Sequence, residues 1–137
     1  MQELAVVGRQ SRLEGRMQVK LTEIMSLLSL EPLVVIDGLD CQIETVCGCD
    51  LMSDVLAFSQ EKTMLLTGLT NPHVVRTCEM TDIKHIIFVR GKRPPQETID
   101  LAQARGLNLY LSPLSMFESC GRLYEAGLGS ETMRRIV

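Results

Sequence analysis

TMLLTGLTNPHVVRTCEMTDIKHIIFV, residues 63–89, decides the fold. Its two ends, Thr63–Thr67 and Ile86–Val89, are short apolar runs without alternation, the pattern of strands buried on both faces. Between them, Pro72 to about Thr81 reads as a helix, with Asn71 as its cap and Pro72 at its first position. A strand, a helix and a strand in so short a stretch imply a crossover connection, and therefore parallel pairing.

Read outward from this stretch, the unit recurs. Towards the C-terminus, Pro95 to Arg105 reads as a helix ended by Gly106, and Leu107–Leu111 as a strand. Pro113 to Ala126 then reads as a helix capped by Ser112 and ended by Gly127. Towards the N-terminus, Asp50 caps a helix through about Ser59, burying either Leu51, Val55 and Phe58 or Met52 and Leu56. Gln42–Cys49 reads as a strand, and Leu33–Ile36 as a short buried strand paired with it as a hairpin or edge. Lys20 to Leu30 has the stripe of an amphipathic helix in Leu21, Ile24, Met25, Leu27 and Leu28, stopped by Pro32. The predicted fold is a three-layer α/β/α domain with a mostly parallel sheet of about five strands. That domain is expected over 17–128. Residues 1–16 read as an upstream leader or a native flexible extension, and 129–137 as a tail or short terminal helix.

Composition narrows the function classes. The 137 residues are 45% hydrophobic and carry 14 basic against 17 acidic side chains, a formal net charge of −3. Such a chain can build a core but holds no overall attraction for nucleic acid or an anionic membrane. With 4% aromatics and no Trp, it offers no base-stacking platform of the kind used on single strands. Apolar runs such as Leu33–Ile36 are far shorter than the roughly 20 residues of a membrane span. Five irregularly spaced cysteines suit reduced thiols in a cytoplasmic protein better than a disulfide framework.

In an open parallel sheet, ligands bind outside the carboxyl ends of the strands. Three strand-to-helix junctions are expected there: Thr67-Gly68-Leu69-Thr70-Asn71-Pro72, Arg90-Gly91-Lys92-Arg93-Pro94-Pro95, and Ser112-Pro113-Leu114-Ser115. Capped helix ends at Asn71 and Ser112 would aim N–H groups at this rim, and Gly68 and Gly91 would let the backbone approach a ligand. Lys84, Arg90, Lys92 and Arg93 form a basic run in an acidic chain, and guanidinium groups suit phosphate or carboxylate. The expected ligand-binding residues are Thr67, Gly68, Asn71, Arg90, Gly91, Lys92, Arg93 and Ser112.

Catalytic motifs are missing. Gly91-Lys92 lacks the remainder of a P-loop, and no G-x-G-x-x-G follows a strand. Cys47-Gly48-Cys49 is a single pair with one spacer, which reads as core packing on one strand face better than as a metal site. His73 reads as an exposed first-turn residue, His85 as a satisfied structural histidine, and the Asp50/Asp54 pair as cap and first-turn charge. No metal, cofactor or catalytic group is expected.

Several phrases then resemble the DRTGG domain family, small α/β modules related to the N-terminal domain of HPr kinase/phosphorylase. They are Cys49-Asp50-Leu51-Met52-Ser53-Asp54-Val55-Leu56-Ala57, Leu66-Thr67-Gly68, Val89-Arg90-Gly91 with Pro94, Leu101-Ala102, Leu111 to Glu118, and Gly121-Arg122-Leu123-Tyr124-Glu125. The resemblance runs from about Met17 to Leu128. It departs from the name-giving residues: Leu69-Thr70-Asn71 replaces the Asp-Arg, and Val89-Arg90-Gly91 keeps only the last glycine of Thr-Gly-Gly. The resemblance implies an accessory or regulatory module, often fused to nucleotide-sensing or enzyme domains, without the kinase domain. Stand-alone members occur beside redox and hydrogenase genes, which implies a metabolic regulator.

The residues support a non-enzymatic module binding a small anionic metabolite or nucleotide at the rim. The alternative is an interaction module that forms a homodimer or larger homo-oligomer and docks a partner enzyme, with Met25, Met52, Met80 and Met116 as an adaptable surface.

Overall fold

The computed structural model describes residues 18–58 and 62–129. The extension read over 1–16, Ser59 at the end of the second expected helix, and the tail beyond Gly129 lie outside the described residues. Strands are β1 (Val19–Lys20), β2 (Glu31–Val34), β3 (Gln42–Ile43), β4 (Thr45–Gly48), β5 (Thr63–Thr67), β6 (His85–Phe88) and β7 (Asn108–Leu111). Helices are α1 (Leu21–Leu28), α2 (Met52–Phe58), α3 (Pro72–Met80), α4 (Gln96–Arg105) and α5 (Met116–Glu125).

The main sheet has the order β2-β7-β6-β5-β4, with β4 to β7 parallel and β2 antiparallel on the β7 edge. Strands β4 to β7 are laid down in one direction. Because crossovers are right-handed, every connecting helix then falls on the same face. The packing agrees: Met52 and Val55 of α2, Val74, Val75 and Cys78 of α3, and Ala102 of α4 share one core with Leu65, Ile86, Phe88 and Leu109. The other face is left to the helices outside that run. Leu21, Ile24 and Leu28 of α1 and Leu123 of α5 pack there on Met64, Leu66, Ile87, Val89 and Tyr110. Alternate residues of each strand thus enter opposite cores, which is why the strands read as unbroken apolar runs.

Five expectations need correction. Gln42–Cys49 is not one strand: β3 pairs antiparallel with β1, while β4 joins the main sheet. Nor does the 33–36 run pair with it; β2 and β4 are opposite edges of the sheet. The run is buried only at Val34, for Leu33 is half-buried and Val35 and Ile36 are exposed. Pro32, expected to stop α1, lies inside β2, where an edge tolerates the missing N–H. It is Ser29, in the left-handed conformation, that ends α1. Helix α5 starts three residues beyond Pro113, at Met116. Among the described residues, no helix is long and apolar enough to cross a membrane.

Candidate functional site

The carboxyl ends of β4, β5 and β6 open onto a notch of about 150 Å³ lined by Asp50, Gly68, Leu69, Val89, Arg90, Lys92 and Met116. Its basic wall is a tight turn. Lys92 N–H donates to the Val89 carbonyl at 3.2 Å, with Arg90 at φ +62° and Gly91 at φ +63° between them. Two left-handed residues in succession suit glycine, and Gly91 supplies one; Arg90 holds the other against its steric preference. Neighbouring carbonyls pin the turn, since Arg90 N–H donates to Leu114 and Gly91 N–H to Ser112, both at 2.7 Å. These bonds zip shut the crevice between β6 and β7, where the outgoing chains part to opposite faces.

The opposite wall is Asp50. It does not cap α2. Its Oδ1 accepts from Gly68 N–H at 2.8 Å and from the Thr67 hydroxyl at 2.9 Å. Thr67 Oγ1 in turn accepts from Leu69 N–H at 3.1 Å. Asp50 therefore holds the β5 junction open from the end of β4. The N–H groups of Gly68 and Gly91 are both spent on protein partners, so the rim offers a ligand side-chain donors rather than a backbone nest. Lys92 Nζ reaches the Gly68 carbonyl at 3.4 Å, closing the notch on its third side.

Of the eight expected ligand residues, the structure brings Gly68, Arg90 and Lys92 to the notch, with Thr67 buried beneath it. Gly91 shapes the turn. Asn71 caps α3, accepting from His73 N–H at 3.0 Å. Arg93 is turned away, paired with Glu31 of β2. Ser112 is fully buried and hydrogen bonded to Ser119 Oγ at 3.0 Å, and it does not cap α5. Ser115 does, accepting from Glu118 N–H at 3.1 Å, a Ser-x-x-Glu spacing legible in the sequence. Lys84 precedes β6 and so lies at the far end of the strand from Arg90. Met116 and Asp50 were missed; Asp50 imitates a cap because it stands one turn before the Asp54 of α2.

Cys47 and Cys49 pack against the first core, and all five cysteines are thiols. No cluster of three or more metal-ligating groups exists among the described residues. The four methionines form no common face. Met52 is buried in one core, Met25 and Met116 pack on the other, and Met80 alone is exposed.

A larger cavity, about 810 Å³, lies at the amino ends of the strands. The chain from Ile36 to Glu44 passes these ends in turn on its way from β2 to β4. Buried Asn108 anchors it: Oδ1 accepts from Ile36 N–H (2.7 Å) and Asp37 N–H (3.0 Å), and Nδ2 donates to Asp37 Oδ2 (2.9 Å) and the Lys84 carbonyl (3.0 Å). Next to it, His85 Nδ1 lies 3.1 Å from the Tyr110 hydroxyl and Nε2 lies 3.6 Å from Cys41 Sγ, which reaches the Gly38 carbonyl at 3.3 Å. Every donor is satisfied if Tyr110 donates to Nδ1, Nε2–H to sulfur, and the thiol to Gly38. Burial lowers the His85 pKa, with Lys84 adding to the shift and Asp37 opposing it. Burial raises that of Tyr110, with Cys41 and Asp37 adding to the shift. Burial also raises that of Cys41, which Asp37 and Asp40 push further against a backbone hydrogen bond. Both shifts favour the neutral forms of thiol and imidazole. Asp37, Asp40 and Asp82 line this cavity against Lys84 and a Lys62 already paired with Glu44, so it disfavours an anion.

No protein-family model and no curated protein matches the chain. Its fold does have a solved counterpart. The chain superposes with a TM-score of 0.66 on the CBS and DRTGG domains of the regulatory region of Clostridium perfringens pyrophosphatase, crystallised with the activator diadenosine tetraphosphate. The match is 14% identical and covers 89% of this chain and 50% of that one, so this chain spans half the length of the structure it resembles. At that identity the likeness is one of fold.

Proposed function

We propose that this chain is a non-enzymatic regulatory module of the DRTGG type that binds a small anionic metabolite or nucleotide at the notch between Asp50 and the Arg90–Lys92 turn. One observation carries the reading. Among the described residues, Arg90 and Lys92 have no carboxylate partner, as Lys20, Arg76 and Lys84 have none elsewhere, and they stand together on one notch at the carboxyl ends of the strands while the neighbouring Arg93 is paired. Arg90 moreover occupies a strained left-handed position that a glycine would fill at less cost, and such strain clusters at ligand sites. The fold neighbour, a regulatory region complexed with a nucleotide activator, supports the class.

A thermal-shift titration with inorganic phosphate, phosphorylated sugars and nucleotides tests it. A ligand at about 100 times its dissociation constant stabilises the fold by roughly 2.7 kcal/mol. That stabilisation is lost in Arg90→Ala and Lys92→Ala. Equal stabilisation in the variants, or none in the parent, overturns the proposal.

A second reading, homo-oligomerisation with docking to a partner enzyme, draws on Val35 and Ile36, exposed beside the antiparallel edge of the sheet. Light scattering that finds a monomer at high protein concentration counts against it.

A further inference from the structure

The notch does not end at Met116. The same side chain lines a second, apolar groove of about 410 Å³ between α5 and the edge strand β4. Where the two meet, a Cβ on Gly48 would lie 3.3 Å from Met116 Sδ and 2.7 Å from Cys120 Sγ, so glycine there lets both sulfurs pack down onto β4. Along α5, Phe117, Gly121 and Tyr124 stand at i, i+4 and i+7, on one helix face, and all three line the groove. Two aromatic rings thus flank a stretch about 10 Å long, set by the helical rise, with only the small Cys120 and Gly121 between them on that face.

Gly121 is not there for packing. Nothing lies within 4 Å of where its Cβ would be, and glycine is the poorest helix former after proline. Phe117 is 86% exposed, so its ring serves no core. An unneeded glycine between two solvent-facing rings, continuous with a cationic notch, makes room for a flat ring.

We infer that the ligand is a nucleoside phosphate whose phosphate meets Arg90 and Lys92 and whose base lies in the α5 groove between Phe117 and Tyr124. Asp50 completes the match. Its Oδ1 is engaged by Thr67 and Gly68, and its Oδ2, without a hydrogen bond among the described residues, accepts from a ribose hydroxyl. Notch and groove together reach the size of a small-molecule site. Base–aromatic stacking supplies the affinity that a phosphate contact alone lacks. This inference rests on the anion site proposed above, and the test separates the two.

Calorimetric titrations of the full chain with AMP, UMP, ribose 5-phosphate and inorganic phosphate are compared across the parent, Phe117→Ala, Phe117→Tyr and Gly121→Leu. The nucleotides are expected to bind at least tenfold more tightly than ribose 5-phosphate. Phe117→Ala and Gly121→Leu abolish that margin and leave ribose 5-phosphate binding unchanged, and Phe117→Tyr restores it. Both sites are open to solvent, so the variants keep the parent's melting temperature or, for Gly121→Leu, exceed it. If nucleotides and ribose 5-phosphate bind alike, or the α5 variants bind nucleotides as the parent does, the groove has no part and the anion site stands alone. If no phosphate compound binds, both proposals fall.

Discussion

Replacing Arg90 with glycine separates two effects carried by one residue. Arg90 sits at φ +62°, where an L side chain costs roughly 1–2 kcal/mol through the clash of Cβ with the backbone. Glycine removes that strain but loses more backbone freedom on folding, by roughly 0.5–1 kcal/mol. The side chain is exposed and makes no ion pair among the described residues, so little contact energy offsets the gain. Arg90→Gly should therefore be more stable than the parent by about 0.5–1 kcal/mol, which raises Tm by about 2–4 °C for a domain of this size. Arg90→Ala removes the same charge but keeps the strained backbone, so it should gain nothing. Urea denaturation followed by circular dichroism measures both, and phosphate-induced thermal shifts of the same samples report binding. Both variants should lose the ligand response while differing in stability by about 0.5–1 kcal/mol. An Arg90→Gly variant no more stable than Arg90→Ala would refute the strain. One that keeps the full ligand shift would remove Arg90 from the site.

Asn108→Ala should cost about 1–3 kcal/mol in chemical denaturation, because the N–H groups of Ile36 and Asp37 lose their acceptor, while the Lys84 carbonyl keeps the Asn108 N–H; a loss below about 0.5 kcal/mol would show that water replaces the amide. His85 has a folded pKa below its ordinary 6.5, so the unfolded chain takes up the proton first as pH falls. Stability should hold above about pH 6.5 and decline as pH drops through the lowered folded value, and His85→Gln should flatten that slope; an unchanged slope in the variant assigns the effect elsewhere. Burial, with Cys47 close by, pushes the Cys78 thiol up to about 12. In alkylation at about pH 8, Cys78 should be the last of the five cysteines labelled, reacting only on unfolding, and early labelling would show that the first core opens locally.

The fold class was legible because its signals are local. β5 was read to the residue and α3 to within one, since an apolar run, the Asn71-Pro72 start and the Gly106 stop are written within a few neighbouring positions. The Ser115-x-x-Glu118 cap was equally local but lay behind the more conspicuous Ser112-Pro113, which proved to be a buried serine and an approach to the helix. Strand partners were not legible. Neighbours in sequence usually pair, yet the 33–36 run and β4 are separated by the whole width of the sheet, because β2 pairs with β7 some eighty residues further along the chain.

The candidate site divides in the same way. Charge and turn chemistry belong to residue types, so the sequence alone determined that Arg90-Gly91-Lys92 is a basic turn at the carboxyl ends of parallel strands. Tertiary structure decided which charges stay available. Arg93 meets Glu31 across 62 positions, and Lys84 goes to the opposite end of its strand. Asp50 spans 18 positions to take the N–H of Gly68, where the backbone was expected to approach a ligand. A side chain's partner is set by where distant backbone brings a complementary atom within about 3 Å, a distance that residue type and local period do not encode. Gly121 shows the same limit: the chain records a glycine, and only the folded helix shows that it stands between two exposed rings over an open groove.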